Sequence, residues 1–242
     1  MNVFIPDKKL FVNSFLSPLS KINDSCVVSI SDTGFSSIVS TADSSVILFS
    51  QYKLEIDIDK FIDLNIADLK KVLKAFDCIG SNSFTLGIDT NNICYNGSEI
   101  RFKYHLLEDG IITKPKINIQ KLNSLEFPII FNIQYKSLLE LLRGSTFATE
   151  SNKLYIHTEN NKILGDLTDK ARHNVDSMSI PLCEYTGPGF DTLCLNFEIV
   201  RIISGVKVKQ LECKINPKLG VVLFQATDNI VNTQYVASTL VK

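Results

Sequence analysis

Short apolar segments rich in β-branched side chains, each bounded by polar turns, recur along most of the chain. In the segment 99–106 the side chains of Ile100, Phe102 and Tyr104 alternate with polar ones, and Asn96-Gly97 precedes it as a turn pair. This alternation is typical of antiparallel strands with one buried face. It predicts strands at 26–31, 46–49, 84–88, 93–95, 99–106, 153–158, 162–167, 175–182, 210–215, 221–226 and 233–240.

Four segments instead repeat their apolar residues with the helical period, and they predict helices over 7–17, 65–76, 132–143 and 196–204. The first helix is expected to end or kink at Pro18. In the second, Leu69, Val72 and Phe76 form one apolar stripe, and Asn65 is placed to cap the helix.

The order of these elements indicates an internal duplication. The segment 64–70 aligns with 195–201, and each is followed by a run of antiparallel strands. The stretch 113–127 has no sustained period and is interpreted as a linker between domains at 1–112 and 128–242. The predicted fold class is α+β, with two similar domains, each having two helices packed on antiparallel sheets.

Composition narrows the classes of protein that fit. The 242 residues include 25 Lys+Arg and 26 Asp+Glu, which excludes a protein that is basic all over but not one with a basic surface. Six cysteines form no CxxC pair, and no secretory signal or membrane-spanning apolar run of about 20 residues is present. We therefore expect a cytoplasmic protein whose thiols are reduced. If the source is a phage, the cytoplasm is that of the host cell.

The charge distribution suggests a nucleic-acid surface. Lys70, Lys71 and Lys74 share the side of their predicted helix that faces away from the apolar stripe. The other predicted helices carry further cations, either on their outer sides or in the residues that follow them: Lys8, Lys9, Lys21, Lys136, Arg143, Arg201, Lys207 and Lys209. Cations on one surface would attract phosphates without reading sequence. The alternative is that these lysines are ordinary solvated helix residues.

Nothing in the sequence points to catalysis. The three histidines, His105, His157 and His173, form no metal-ligand spacing, and no phosphate-binding glycine motif or GxSxG occurs. We therefore predict a protein that is not an enzyme and that uses no cofactor or metal.

Three segments resemble the DNA polymerase sliding clamps, a family that includes proliferating cell nuclear antigen and the tailed-phage clamps. These segments are 64–76 with its lysines, 41–46, which is similar to a Met-Asp-Ser-Ser-His stretch of the eukaryotic clamp, and 232–241. The resemblance implies the DNA clamp fold and a homotrimeric ring that encircles duplex DNA and serves as a processivity factor. DNA polymerase and a clamp loader would be its partners. The abundance of Asn, Ile and Lys favours a viral or phage source.

The resemblance also implies two further sites. Edge strands at 99–108 and 174–182 would pair between subunits, through Ile100, Phe102, Tyr104, Val175, Met178 and Ile180. A partner peptide would dock near Ala42, Val46, Leu125, Phe127, Val236 and Leu240. Ala237-Ser238 stands where the eukaryotic clamp has Ala-Pro, which puts the familiar peptide motif in doubt. Alternatively, these are core residues, and the strands pair within one subunit.

Two other functions fit the same patterns. A non-catalytic structural or interaction protein of a virus would share the strands and the duplication, but it gives no reason for basic helix faces. A monomeric processivity factor of the same fold would bind DNA without forming a ring.

Overall fold

A computed structural model of the protein describes residues 1–205 and 210–240, which form two compact units. The first unit consists of Met1–Ala42, Ile47–Ile117 and Thr227–Thr233, and the second consists of the other described residues. Each unit therefore includes a short segment from the other half of the sequence: Thr227–Thr233 belongs to the first unit, and Asp43–Val46 belongs to the second. No local sequence pattern predicts that exchange, and the boundaries at 112 and 128 stay a prediction.

The first unit contains eight strands and two helical segments. In chain order they are β1 (Asn2–Ile5), a π-helical segment (Leu10–Leu16) that continues into α1 (Ser17–Ile22), β2 (Cys26–Ser31), β3 (Gly34–Ser40), β4 (Val46–Lys53), β5 (Ile62–Ile66), α2 (Leu69–Asp77), β6 (Phe84–Asp89), β7 (Asn92–Asn96) and β8 (Arg101–His105). Their orders in two antiparallel groups are β1-β6-β7-β8 and β5-β2-β3-β4.

The second unit repeats this arrangement. It contains α3 (Ile119–Asn123), β9 (Ile129–Gln134), α4 (Tyr135–Gly144), β10 (Lys153–Glu159), β11 (Lys162–Leu167), β12 (Met178–Glu184), β13 (Leu193–Asn196), α5 (Glu198–Ile203), β14 (Gln210–Asn216), β15 (Val221–Thr227) and β16 (Val231–Ser238). The orders are β9-β14-β15-β16 and β13-β10-β11-β12. Adding eight to each strand number in the orders of the first unit gives the strand orders of the second unit. The duplication therefore extends to the strand order.

Three helices begin later than the sequence pattern predicts, because a strand ends just before each: α2 follows β5, α4 follows β9, and α5 begins at Glu198 after β13. α2 begins at Leu69, and its cap is Asp68, whose carboxylate accepts a hydrogen bond from the Lys71 backbone N–H at 2.9 Å. The predicted cap, Asn65, is instead buried in β5 and donates to the Asp109 carboxylate at 2.7 Å. Residues 132–134 likewise belong to β9, where side chains alternate between buried and exposed, and α4 begins at Tyr135.

Three other sequence predictions also need correction. The first helix does not end at Pro18 but continues to Ile22, because proline is tolerated in the first turn of α1. The predicted linker contains α3, capped by Asn118, which accepts from the Lys121 backbone N–H at 2.9 Å. Strands β1, β3, β5, β9 and β13 were not predicted.

Aromatic rings fill the core of the first unit. Phe11 lies 5.1 Å from Phe35, 5.2 Å from Tyr52 and 6.0 Å from Phe76, measured between ring centroids. These contacts pack the π-helical segment and α2 against the sheet. The apolar side of α2 is therefore fixed inward, and its lysines are left on the other side.

Close packing holds α4 against β12 in the second unit. A Cβ added at Gly144 would lie 2.8 Å from Met178 Sδ and 2.9 Å from Ile180 Cδ1, so these side-chain ends would have to shift to admit a larger residue. The Tyr135 hydroxyl donates to the Ser204 carbonyl at 3.0 Å and connects α4 to the end of α5.

Candidate nucleic-acid and partner-binding surfaces

The outer side of α2 carries cations with different surroundings. Lys70, Lys71 and Lys74 are all exposed, while Leu69 and Val72 are buried. Lys70 Nζ lies 2.8 Å from Asp24 Oδ1, so part of its charge is neutralised inside the unit. Neither Lys71 nor Lys74 forms an ion pair within residues 1–205 and 210–240. These two lysines are therefore the ones available to an anionic partner.

The cations predicted on the first helix also divide into two kinds. Lys9 is exposed and forms no ion pair with any described residue. Lys21 is exposed as well, and partial burial lowers its pKa. Lys8 is half-buried, and its ammonium donates to the Ile79 carbonyl. Lys8 therefore has a structural contact that the sequence pattern did not reveal.

Arg143 differs from the other described cations predicted in the second unit because it has no ion pair. It is exposed, and no carboxylate of the described part of the chain pairs with it. Lys136 Nζ lies 3.8 Å from Glu140 Oε1, and Arg201 Nη1 lies 2.9 Å from Glu198 Oε2. The Arg201 guanidinium also lies 5.3 Å from the centroid of the Phe197 ring. The predictions for Lys207 and Lys209 lie outside the described residues.

Strands β8 and β12 are each the last strand of their sheet within the described residues. Phe102 packs 5.8 Å from the Phe76 ring, and Tyr104 is buried, with its hydroxyl accepting from the Asp68 backbone N–H at 2.8 Å. Ile180 of β12 is buried too, whereas Val175 and Met178 are half-buried.

A neighbouring strand would therefore meet the backbone of β8 and its alternate side chains, which are Arg101, Lys103 and His105, all exposed. β12 exposes Ser179 and Pro181, and Pro181 has no backbone N–H to donate. The alternation of apolar and polar residues along the sequence of β8 could have identified Arg101, Lys103 and His105 as outward-facing.

The predicted partner-pocket residues differ in accessibility. Val46 is only 1% exposed, so its side chain cannot form an accessible wall. Leu125, Phe127 and Val236 are half-buried residues of the second unit, while Ala42 is exposed and belongs to the first. Leu240, 37% exposed, is the member that lines a cavity.

The Leu240 cavity has a volume of about 440 Å³ and lies within the second unit. Lys153, Tyr155, Lys170 and Cys194 line it, and the Leu240 backbone N–H donates to the Cys194 carbonyl at 2.8 Å. Lys170 Nζ lies 4.8 Å from the centroid of the Tyr155 ring. Both ammonium groups are already paired, Lys153 Nζ at 2.8 Å from Asp169 Oδ1 and Lys170 Nζ at 3.4 Å from Asp166 Oδ2. The largely apolar lining of the cavity therefore suits an apolar peptide segment.

The first unit has its own cavity of about 320 Å³ beneath the chain segment 111–115. Lys114 fastens this segment, because its Nζ lies 2.6 Å from Asp63 Oδ2 and 3.1 Å from Ser29 Oγ. Burial acts to raise the pKa of Asp63, but hydrogen bonds from Lys114 and Ser29 outweigh it, and the pKa is lowered. The segment is therefore held in place over the sheet.

Comparison with known proteins identifies the architecture. No protein-family model matches the sequence, and no curated protein does. The structure is similar to the PCNA of A. fulgidus, solved with the C-terminal region of FEN-1 bound, with a TM-score of 0.78, 12% identity, and coverage of 100% of this chain and 98% of the other. It is also similar to the PCNA2-PCNA3 complex of Sulfolobus tokodaii, with a TM-score of 0.75, 14% identity, and coverage of 99% of both chains. A third similar structure is proliferating cellular nuclear antigen of Entamoeba histolytica, with a TM-score of 0.79, 10% identity, and coverage of 99% of this chain and 98% of the other.

The chain has the sliding-clamp fold. The predicted α+β class and the resemblance to sliding clamps are confirmed at the level of fold, over essentially the whole chain. In this clamp fold the described helices include none that is long and apolar enough to cross a membrane.

One polar cluster of the second unit combines a serine, a histidine and an aspartate. His157 Nε2 lies 2.9 Å from Asp166 Oδ2, and the Ser179 hydroxyl donates to Asp166 Oδ1 at 2.8 Å. Burial acts to raise the pKa of Asp166, but hydrogen bonds from Ser179 and His157 outweigh it, and the pKa is lowered. Because the carboxylate lies between serine and histidine, the histidine is not placed to activate the hydroxyl. The cluster ties β10, β11 and β12 together.

Proposed function

We propose that the protein is a sliding clamp, a non-catalytic ring that encircles duplex DNA and tethers DNA polymerase and other replication proteins. The observation that supports this most is the sliding-clamp fold together with the exposed cations Lys71 and Lys74 on the side of α2 away from its core. A fold alone does not specify a function, so the cations are the necessary second element.

The chemistry of this surface suits sliding. Lysine and arginine side chains contact phosphates as charges and carry no base readout, so the attraction is nearly equal at every position along the duplex. Lys9, Lys21 and Arg143 would supply further phosphate contacts, since all three are exposed and none forms an ion pair with a described residue. Duplex DNA would thus be held without being fixed in place.

Ring closure would use the unpaired edges of β8 and β12. Pairing β8 of one copy with β12 of the next would satisfy backbone groups that both edges leave open. Repeating that heterologous contact closes a ring, which we propose to be a homotrimer. Arg101 and Lys103 would then lie beside the neighbouring strand.

Partner proteins would bind the cavities of the two units. The A. fulgidus neighbour was solved with a C-terminal region of FEN-1 bound, which supports the use of peptide tails as ligands here. We propose that a polymerase tail binds the Leu240 cavity, and that a clamp loader opens the ring. We further propose a viral or phage source and action in the host cytoplasm.

Light scattering behind a sizing column tests the ring directly. At several protein concentrations and salt levels, the expected mass is about three times the 27.1 kDa of the chain. A mass of one chain at every concentration would overturn the ring and favour a monomeric processivity factor. A dimer would overturn the trimer.

A further inference from the structure

Phe61 is 81% exposed, more than any other large apolar side chain among the described residues. It lies at the end of the segment 54–61, which connects β4 to β5 in the first unit. An exposed aromatic ring costs solvation free energy, and in soluble proteins such rings often mark a contact surface. One exposed ring alone does not define a binding site, so the residues around Phe61 determine whether a ligand could bind there.

Cavities lie on both sides of Phe61. The larger, about 550 Å³, is lined by the apolar side chains of Ile62 and Ile88 and by the carboxylates of Asp89 and Asp109, together with Asp63, which is paired with Lys114. The smaller, about 230 Å³, places Ile58 beside the carboxylates of Asp32 and Asp59. We call Phe61 with Asp32, Asp59, Asp89 and Asp109 the Phe61 surface. The ring thus lines two clefts, and each of them contains both apolar side chains and carboxylates.

Most of the negative charge here is available to a ligand. Asp32, Asp59, Asp89 and Asp109 form no ion pairs with the residues that the structure describes. Asp109 Oδ1 accepts from Asn65 and Asp89 Oδ1 from the Thr90 backbone N–H, which leaves the second oxygen of each carboxylate open to other contacts.

The neighbouring cations do not cancel this charge. Lys60 lines the smaller cleft without an ion pair to any described residue, and the Met1 ammonium donates to the Ile88 carbonyl at 2.6 Å. Four carboxylates against these two cations leave the Phe61 surface net negative. It would therefore repel DNA and attract a cationic partner.

We propose that the Phe61 surface binds an arginine-bearing apolar peptide segment of a partner protein. A guanidinium can stack on the Phe61 ring and at the same time bond two carboxylate oxygens, which an ammonium cannot do. Apolar side chains of the same peptide would enter the clefts on either side. This inference does not depend on ring formation or on DNA binding, because all the residues involved belong to one unit.

The test measures fluorescence anisotropy of a labelled peptide in which arginine and leucine alternate, titrated with the full-length protein. Phe61→Ala should weaken binding about tenfold, since the aromatic anchor is lost. Phe147→Ala is the matched control, because Phe147 is an exposed aromatic of the second unit at 54% exposure, and it should leave affinity within about twofold.

A charge reversal gives a second, independent readout. Asp32→Lys with Asp59→Lys should also weaken binding about tenfold, while Glu159→Lys with Asp191→Lys should not. Replacing arginine by lysine in the peptide should weaken binding, and replacing it by glutamate should abolish it. All the protein positions are exposed, so folding should survive, which circular dichroism would check.

Three results would overturn the proposal. The first is no saturable binding, and the second is equal affinity of the Phe61→Ala and Phe147→Ala variants. The third is a lower particle mass for Phe61→Ala, which would mean that a second copy of the chain covers this surface.

Discussion

Removing Lys71 and Lys74 together should reduce the salt dependence of DNA binding. Both side chains are exposed on α2 and neither forms an ion pair among the described residues, so each is free to release a counterion from DNA. Alanine is a good helix former, so the Lys71→Ala, Lys74→Ala variant should keep α2 intact.

The magnitude follows from counterion release. Each phosphate neutralised contributes a slope of about −0.9 to the plot of log K against log salt concentration. Loss of two contacts should therefore reduce the slope by about 1.8. Between about 50 and 200 mM salt, the wild type would lose about twelvefold more affinity than the variant.

The assay is fluorescence anisotropy of a labelled linear duplex, titrated with protein at a series of salt concentrations. Lys53→Ala with Lys218→Ala is the matched control, because both lysines are exposed and form no ion pair with a described residue. Asp24→Asn supplies the opposite change: it releases Lys70 from its 2.8 Å ion pair and should steepen the slope by about 0.9. Equal slopes for the α2 variant and the control would refute a DNA-facing role for this helix.

Three further predictions address stability and assembly. Tyr235→Phe should leave the free energy of unfolding unchanged or raise it by about 1 kcal/mol in urea titration, because the buried hydroxyl has no hydrogen-bond partner among the described residues. Asp63→Asn should destabilise the protein near neutral pH, because the contact with Lys114 is lost. The pKa of Asp63 is lowered in the folded protein, so the difference in free energy of unfolding from wild type should vanish as the pH falls from about 4 through that pKa. Urea titrations at several pH values would measure it. Arg101→Asp with Lys103→Asp should lower the particle mass in light scattering if β8 forms the subunit contact.

Periodicity predicted α2 and the outward position of its lysines, because the spacing of Leu69, Val72 and Phe76 fits one side of a helix and does not fit a strand. It failed at the start of the helix because Ile66 fits both the helical stripe and the buried side of β5. The same ambiguity arises at Ile133, which fits either α4 or β9. Only pairing with a distant strand resolves it, as when β5 aligns with β2.

Contacts between distant residues were outside the reach of local patterns. Asp24 and Lys70 are 46 positions apart, and no spacing rule connects them. Lys8 and the Ile79 carbonyl are another such pair. The Phe61 surface escaped sequence reasoning for the same reason, because it takes its carboxylates from four separate turns and strand ends.

Pairing, rather than the number of basic residues, therefore decides where this nearly neutral chain can meet an anion. In the first unit, Lys71 and Lys74 on α2 and Asp59 and Asp89 near Phe61 form no ion pair with any residue that the structure describes. Each surface keeps the charge that is not neutralised by internal ion pairs. Added salt should therefore lower the affinity of the α2 surface for DNA and the affinity of the Phe61 surface for a basic peptide. If a single change such as Asp24→Asn shifts DNA affinity and leaves peptide affinity untouched, the two surfaces act independently.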